Sequence, residues 1–155
     1  MKLNLGCGRK RLEGYVNVDI MKSPQADKVM DLSKRWGFKD SSADEIFMDN
    51  VIEHLDFYHT IREARRVLKK GGLLKLIVPH YKSPSAYMPQ HRGYYSYKFF
   101  RDGFGEDFAG LEGLRVEKLE LIPPYKSLGF LANKFPVFWE WFLPLSAVEA
   151  EIRRE

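Results

Sequence analysis

The chain has 155 residues, of which 45% are hydrophobic and 30% charged, enough for one domain with a packed core and inconsistent with a disordered or low-complexity chain. The formal net charge of +4 is spread along the sequence rather than gathered in one basic block, so a nucleic-acid partner is not expected. Cys7 is the single cysteine, which excludes an intrachain disulfide and a cysteine-built zinc site and suits a reducing, cytoplasmic setting.

Met1-Lys2 leads straight into Leu3-Asn4-Leu5, without an apolar segment of signal-peptide length. Leu3 to Leu5 is a short apolar run ending in Gly6-Cys7-Gly8, which predicts a strand entering a tight turn. Tyr15 to Asp19 alternates and is rich in strand formers; Lys28 to Met30 predicts a brief third strand, and Glu45 to Met48 a fourth. From Phe57 to about Lys70, the apolar positions Phe57, Ile61, Ala64, Val67 and Leu68 mark one face of a helix. Asp56 is placed to cap its start, Lys69 and Lys70 suit its negative end, and Gly71-Gly72 is expected to stop it. Leu73 to Val78 predicts a buried central strand closed by Pro79.

Residues 80–110 change character. They are rich in Tyr, Phe, Pro and Gly, with one possible short helix near Ser96 to Arg101, and are expected to form an insertion over the sheet edge within a single domain spanning 1–155. Leu114 to Ile122 predicts a sixth strand. In the tail, Val148 to Arg153 alternates as a half-buried strand does, although Ala, Glu and Arg favour helix; a strand is preferred. Phe130 to Val148 is the most apolar stretch, but Lys134, Pro136, Glu140 and Pro144 interrupt it, so no membrane span is expected. Its aromatics Phe135, Phe138, Trp139, Trp141 and Phe142 are expected to lie in the core beneath the sheet. Strands alternating with helical segments predict an α/β, doubly wound, mostly parallel sheet of six or seven strands.

The segment LNLGCGRKRLEGYVNVD, residues 3 to 19, carries the most chemistry. A strand ending in Gly-x-Gly lets backbone approach a ligand closely, because neither glycine has a Cβ, and the carboxyl end of the first strand is where doubly wound sheets bind ligands. Asp19, closing the next strand, is placed to accept charge-assisted hydrogen bonds from a ribose hydroxyl pair. A dinucleotide site would require a third glycine where Arg11 stands, and there is no P-loop Gly-Lys-Ser/Thr. The expected ligand therefore has a ribose without a pyrophosphate.

Taken together, LNLGCG, Asn17-Val18-Asp19, Asp31-Leu32, DEIFMDNVIEHL (Asp44 to Leu55) and RRVLKKGGLLKLIVP (Arg65 to Pro79) resemble the class I methyltransferases, most closely small bacterial and archaeal proteins of the methyltransferase-11 type. The resemblance covers residues 3 to 79 well and the remainder loosely. It implies a Rossmann-like methyltransferase fold and S-adenosylmethionine as cofactor. It further implies that Leu5, Gly6, Cys7 and Gly8 wrap the methionine part, that Asp19 with neighbouring Ile20 holds the ribose, and that Asp31 and Leu32 meet the adenine. Asp49 and Asn50 would sit beside the transferring methyl. Asn4 stands where many relatives carry an acid that orients the cofactor's amino group indirectly.

Simpler roles stand beside these. Gly6 and Gly8 could make a plain turn, Asp19 could cap a strand end, and Asp31 could start a helix. Cys7 is read as a small loop residue rather than a nucleophile, and His54 as a packed, hydrogen-bonded side chain. His80 and His91 are the candidate acceptor-side bases, against the alternative of structural or exposed histidines. The four histidines lack ligand spacing, so no metal site is expected. Tyr81, Tyr87, Tyr94, Tyr95 and Tyr97 either line an acceptor pocket or cover the sheet edge. Arg62, Arg65, Arg66, Lys69 and Lys70 are expected on a solvated helix face. The expected activity is methyl transfer to an unidentified acceptor, a small molecule, lipid or glycan; the alternative is a non-catalytic cofactor-binding module or a subunit completed by a partner, possibly a homodimer.

Overall fold

The opening strand β1 (Lys2–Leu5) is the axis on which the sheet is wound. It lies between β2 (Tyr15–Asp19) and β4 (Ala43–Asp49), parallel to both, and β3 (Lys28–Val29) adds to β2 at one edge. On the other side β4 pairs in parallel with β5 (Leu68–Pro79). The last strand, β7 (Ala147–Arg154), inserts antiparallel between β5 and β6 (Leu114–Ile122). The seven-stranded order is β3-β2-β1-β4-β5-β7-β6. The computed structural model describes residues 1–104 and 111–155, so the last part of the expected 80–110 insertion lies outside the described residues.

The alternation of β7 decides its fate: Val148, Ala150 and Ile152 are fully buried, whereas the intervening Glu149 and Glu151 are half-buried. A helix would have scattered these positions around its axis. Helix α1 (Phe57–Val67) buries Ile61, Ala64 and Val67, and the Asp56 carboxylate accepts the His59 amide at 2.7 Å, as expected of its cap. The helix stops short of the expected Lys70, however. Leu68 is already extended, pairs with Ala43 and is fully buried. Lys69 to Gly72 then bulge out of the ladder, since the partner strand advances only to Glu45 while this one advances to Leu73. Tertiary pairing of Leu68 thus ends the helix before the glycines are reached.

The remaining helices are α2 (Tyr97–Gly103), α3 (Gly129–Lys134) and α4 (Pro136–Phe142). Ser96 caps α2 by accepting the Phe99 amide at 2.9 Å. None of the connections 6–14, 20–27 and 30–42 contains a helix, so the β1–β3 half of the sheet lacks the covering layer a doubly wound fold ordinarily carries. One cluster of buried apolar side chains nevertheless runs from Leu3 to Ile152 and takes in Tyr95 and Phe100 of the aromatic segment. Among the described residues, no helix is long and apolar enough to cross a membrane.

Two expectations are corrected. Of the five aromatics placed in the core, only Trp139 is buried; Phe135, Phe138, Trp141 and Phe142 are exposed, the last two by 65% and 72%. Helices of six and seven residues can turn only a narrow face inward, and α4 spends its inward positions on Trp139 and Glu140. Nor is the basic set of α1 uniformly solvated. Arg66 reaches under the chain to Glu63, Asp40 and the carbonyls of Trp36 and Phe38, and Glu63 is buried where it also accepts the Trp36 amide at 2.7 Å.

The Arg66 guanidinium and then the Trp36 amide hold the Glu63 carboxyl below its ordinary 4.5, outweighing the opposing effect of its burial. A carboxyl with a depressed folded-state pKa stabilises the fold at neutral pH, and loses that contribution as pH falls through 4.5 and below. Glu63→Gln should therefore lower stability at pH 7 by about 1–3 kcal/mol and flatten the acid limb of a melting-temperature profile. Gly6 has φ +71°, and a Cβ there would lie 2.4 Å from Val51 Cγ2. Gly6→Ala is expected to cost about 1–3 kcal/mol in urea denaturation, from the left-handed backbone and the displaced valine.

Candidate functional site

The carboxyl ends of β1, β2 and β4 meet at one sheet edge, and the chain leaves β1 toward β2 on one side while β4 lies on the other. Such a reversal opens a crevice in which ligands of open α/β sheets bind. The Gly6 and Cys7 amides both donate to the Val18 carbonyl, at 2.8 and 2.9 Å, which folds the glycine turn back over β2. Gly8, at φ +51°, donates its amide to Asp19 Oδ2 at 2.7 Å, and the Met21 amide donates to Asp19 Oδ1 at 3.0 Å. Each carboxylate oxygen keeps a further lone pair, so Asp19 remains able to accept from a ligand diol.

These residues open onto a cavity of about 490 Å³, within the size range of small-molecule sites. Of the expected cofactor residues, Gly6, Asp19, Ile20, Asp31, Leu32 and Asn50 line it. Leu5 and Cys7 are buried behind the turn, Gly8 is exposed beside it, and Asp49 is half-buried, paired with Lys10 Nζ at 2.8 Å and with the Asn50 amide at 2.8 Å. Asp31 starts no helix; it holds a local turn. It accepts the Ser33 amide and hydroxyl at 3.0 and 2.6 Å, which lowers its pKa, and it still faces the cavity. Burial, and then the Asp19 charge, push the Cys7 thiol up, which disfavours a reactive thiolate. Met30, Leu32, Val51 and Leu55 supply apolar wall between the two carboxylates. Two carboxylates and an apolar lining thus share one cavity.

Met30, Ser33, Val51, His54 and Leu55 also line the cavity and were not anticipated as cofactor residues. The run DNVIEHL supplies three of them on the turn after β4, a signal available in the sequence; nothing there indicates that Val51 would press against Gly6. Asn4 is buried and donates to the Lys10 carbonyl at 2.9 Å and to Asn17 Oδ1 at 2.8 Å. Its amide is spent holding the loop after β1.

The aromatic segment rises from the same edge, because it follows the carboxyl end of β5. His80 is fully buried with both ring nitrogens engaged: Nε2 lies 3.1 Å from Glu140 Oε1, and Nδ1 accepts the Lys82 amide at 3.1 Å. Burial holds its pKa down against the pull of Glu140. Glu140 also accepts the Tyr97 and Lys98 amides, so the pair anchors α2 to α4, and His80 does not line the cavity. His91 is half-buried; its Nδ1 donates to the Ala86 carbonyl at 3.1 Å, leaving Nε2 free, and its ring meets that of His54 edge-on at 4.5 Å. Beside His54, burial raises the Glu53 carboxyl to about 7, with the Asp49 charge adding to the rise. Tyr81, Tyr87, Tyr94 and Tyr95 line a second cavity of about 530 Å³ together with Lys98 and Trp141, so four of the five tyrosines line a pocket.

Residues 7–76 match the family model described as a methyltransferase domain, Methyltransf_11. Comparison with curated protein sequences yields no match. Among solved structures, the chain is similar to one in the complex between the Haloferax volcanii Trm112 methyltransferase activator and a methyltransferase, at 16% identity and TM-score 0.62, over 99% of this chain and 81% of that one. It is similar to geranyl diphosphate C-methyltransferase from Streptomyces coelicolor, crystallised with Mg2+, geranyl diphosphate and S-adenosyl-L-homocysteine, at 11% identity and TM-score 0.67, over 99% and 71%. A third is an S-adenosylmethionine-dependent methyltransferase from Mesorhizobium loti, at 17% identity and TM-score 0.59, over 99% and 90%. Residues 7–76 thus match a methyltransferase domain of the methyltransferase-11 type, and the sheet order together with these similarities shows the fold of the class I, S-adenosylmethionine-dependent methyltransferases.

Proposed function

We propose that the chain methylates a small molecule, lipid or glycan in the cytoplasm, with the donor held in the cavity between Asp19 and Asp31 and the acceptor entering over the tyrosine-lined side. The single observation that carries this is the shared edge: the donor cavity and the Tyr81–Tyr95 cavity both open where the parallel strands end. S-adenosylmethionine, when bound, supplies a methyl group on a positively charged sulfur, already activated for displacement. The protein's part is then alignment, which can account for most of the rate. In this reading the Gly6–Gly8 turn and Asn50 orient the methionine part, Asp19 and Ile20 fix the ribose, and Asp31 and Leu32 fix the adenine. His91, with its free ring nitrogen, is the acceptor-side group; His80 serves to anchor the aromatic segment.

Titration calorimetry with S-adenosylmethionine and its demethylated product should show saturable binding that Asp19→Ala weakens by at least about tenfold, the equivalent of one charge-assisted hydrogen bond. A folded Asp19→Ala protein with unchanged affinity would refute the ribose assignment. Radiolabelled S-adenosylmethionine with cell extract should label an organic-soluble or small polar acceptor; exclusive labelling of protein or nucleic acid would refute the acceptor class.

One observation favours a second reading, in which the chain works as a subunit beside a partner protein or a second copy. Phe130 on α3, Phe138, Trp141 and Phe142 on α4, and Phe135 between the two helices are all exposed, more large apolar side chains in one short segment than an isolated monomer ordinarily shows to solvent. The Haloferax neighbour, found with an activator, is consistent with such an arrangement. Sedimentation velocity should then show concentration-dependent association that Phe138→Ser/Trp141→Ser abolishes. A wild-type monomer at all concentrations, unaltered by cell lysate, would rule this reading out.

A further inference from the structure

We infer that Glu53, His54 and His91 form a binding site for a divalent transition-metal ion. The three residues offer one ligand atom each, and these atoms lie within 4.8 Å of one another. Glu53 is 1% exposed, and among the described residues neither of its carboxylate oxygens has a hydrogen-bond partner and no cation pairs with it. A buried carboxylate left in that condition costs about 1–3 kcal/mol or more, which a proton or a bound cation would relieve. The neighbouring groups on that side are two imidazoles. His91 has its Nδ1 proton on the Ala86 carbonyl, which fixes the tautomer and leaves a lone pair on Nε2. Metal-bound histidine commonly donates its other ring N–H to a carbonyl in this way.

The cluster is held in place before any ion arrives. Glu53 and His54 belong to a 3₁₀ turn, Ile52–His54, closed by the His54 amide on Val51 O and the Leu55 amide on Ile52 O, each at 3.1 Å. The His91 amide donates to Met88 O at 2.9 Å, and the Arg92 amide donates to Glu53 O at 2.7 Å. That last bond ties the aromatic segment to the turn at the cluster itself. Ligands about 2.0–2.2 Å from a common ion stand no more than about 4.4 Å apart, so a small inward rotation of the side chains completes the site. Two imidazoles and one carboxylate suit Mn, Fe, Co or Zn rather than Ca or Mg, which favour all-oxygen sets. Three protein ligands leave at least one coordination position open, and His54 also lines the donor cavity, so an ion here sits in the wall of that cavity. The site stands on its own geometry; the Nε2 lone pair that would bind the ion is the one the proposed function gives to the acceptor, so an ion-loaded protein presents a metal-bound imidazole there in place of a free base.

Metal-free protein titrated with Co2+ by absorption spectroscopy, and with Mn2+ by electron paramagnetic resonance, should take up one ion per chain that Zn2+ displaces. Glu53→Gln and His91→Ala should each weaken Co2+ binding by more than about tenfold, while His59→Ala, remote on α1, leaves it unchanged. S-adenosylmethionine affinity, measured in parallel, should persist in His91→Ala, which separates loss of the ion from loss of the donor site. Absence of saturable binding in the wild type would overturn the proposal, as would a wild-type Co2+ affinity in His91→Ala. The latter comparison decides the matter even if Glu53→Gln does not fold.

Discussion

The carboxamide of Asn17 is the interaction on which this half of the molecule depends. It is completely buried in β2, accepts from Asn4 Nδ2 and from the Leu12 amide at 2.8 Å each, and directs its own nitrogen at the Leu12 and Tyr15 carbonyls and at Asp27. Asp27 in turn accepts the Asn17 backbone amide at 2.9 Å and pairs with Arg11 at 2.8 Å. The Asn17 hydrogen bonds lower the Asp27 pKa to about 2, together with that of Arg11. One side chain thus ties together β1, the loop after it, β2 and the segment leading to β3. In a sheet with helices on both faces, apolar packing would perform this task. Here those crossovers carry no helix, and a satisfied polar network takes their place.

That network has a direct consequence for chemistry. The loop 6–14 cannot drift from β2 while Leu12 and Lys10 are bonded to Asn17 and Asn4, so the Gly8 amide stays on Asp19 and the crevice keeps its shape. Preorganisation of this kind is what an alignment-dominated reaction requires, because misplacement by an ångström forfeits much of its advantage. The choice of Asn at position 4 is intelligible in the same terms. A carboxylate has no N–H to donate to the Lys10 carbonyl and Asn17 Oδ1, the two acceptors that the Asn4 carboxamide satisfies, and would face both unpaired.

The aromatic half of the protein is organised by ionisable groups rather than by apolar burial alone. Glu140 collects His80 and the first amides of α2, and it is buried because α4 has so few inward positions to offer. The rest of α3 and α4 then presents Phe and Trp to solvent. Glu53, by contrast, is buried with no such partner among the described residues, at the point where this segment is bonded back to the turn after β4. The two glutamates show how differently a buried carboxylate is treated: one is saturated and structural, the other is left for something outside the chain.

Much of the fold was legible in the sequence because it rests on local pattern. Alternation marked β2 and β7, Asp56 announced α1, and the Gly-x-Gly turn with Asp19 and Asp31 pointed to the cavity. What the pattern could not supply were facts that depend on distant partners. The helix end at Val67 is set by Ala43 capturing Leu68, and the burial of Arg66 by the chain that crosses over it. The exposure of Trp141 and Phe142 follows from how little of a two-turn helix can face inward, a matter of packing that composition does not encode. His54 and His91 lie far apart in sequence, and only the fold brings their rings together beside Glu53. Periodicity and turn chemistry act over a few residues, so the sequence by itself determined the strands, the glycine bend and the class of cofactor. Long-range pairing and the saturation of buried polar groups act across the whole molecule, and only the tertiary structure decided where the helices stop, what stays exposed, and which titratable side chains meet.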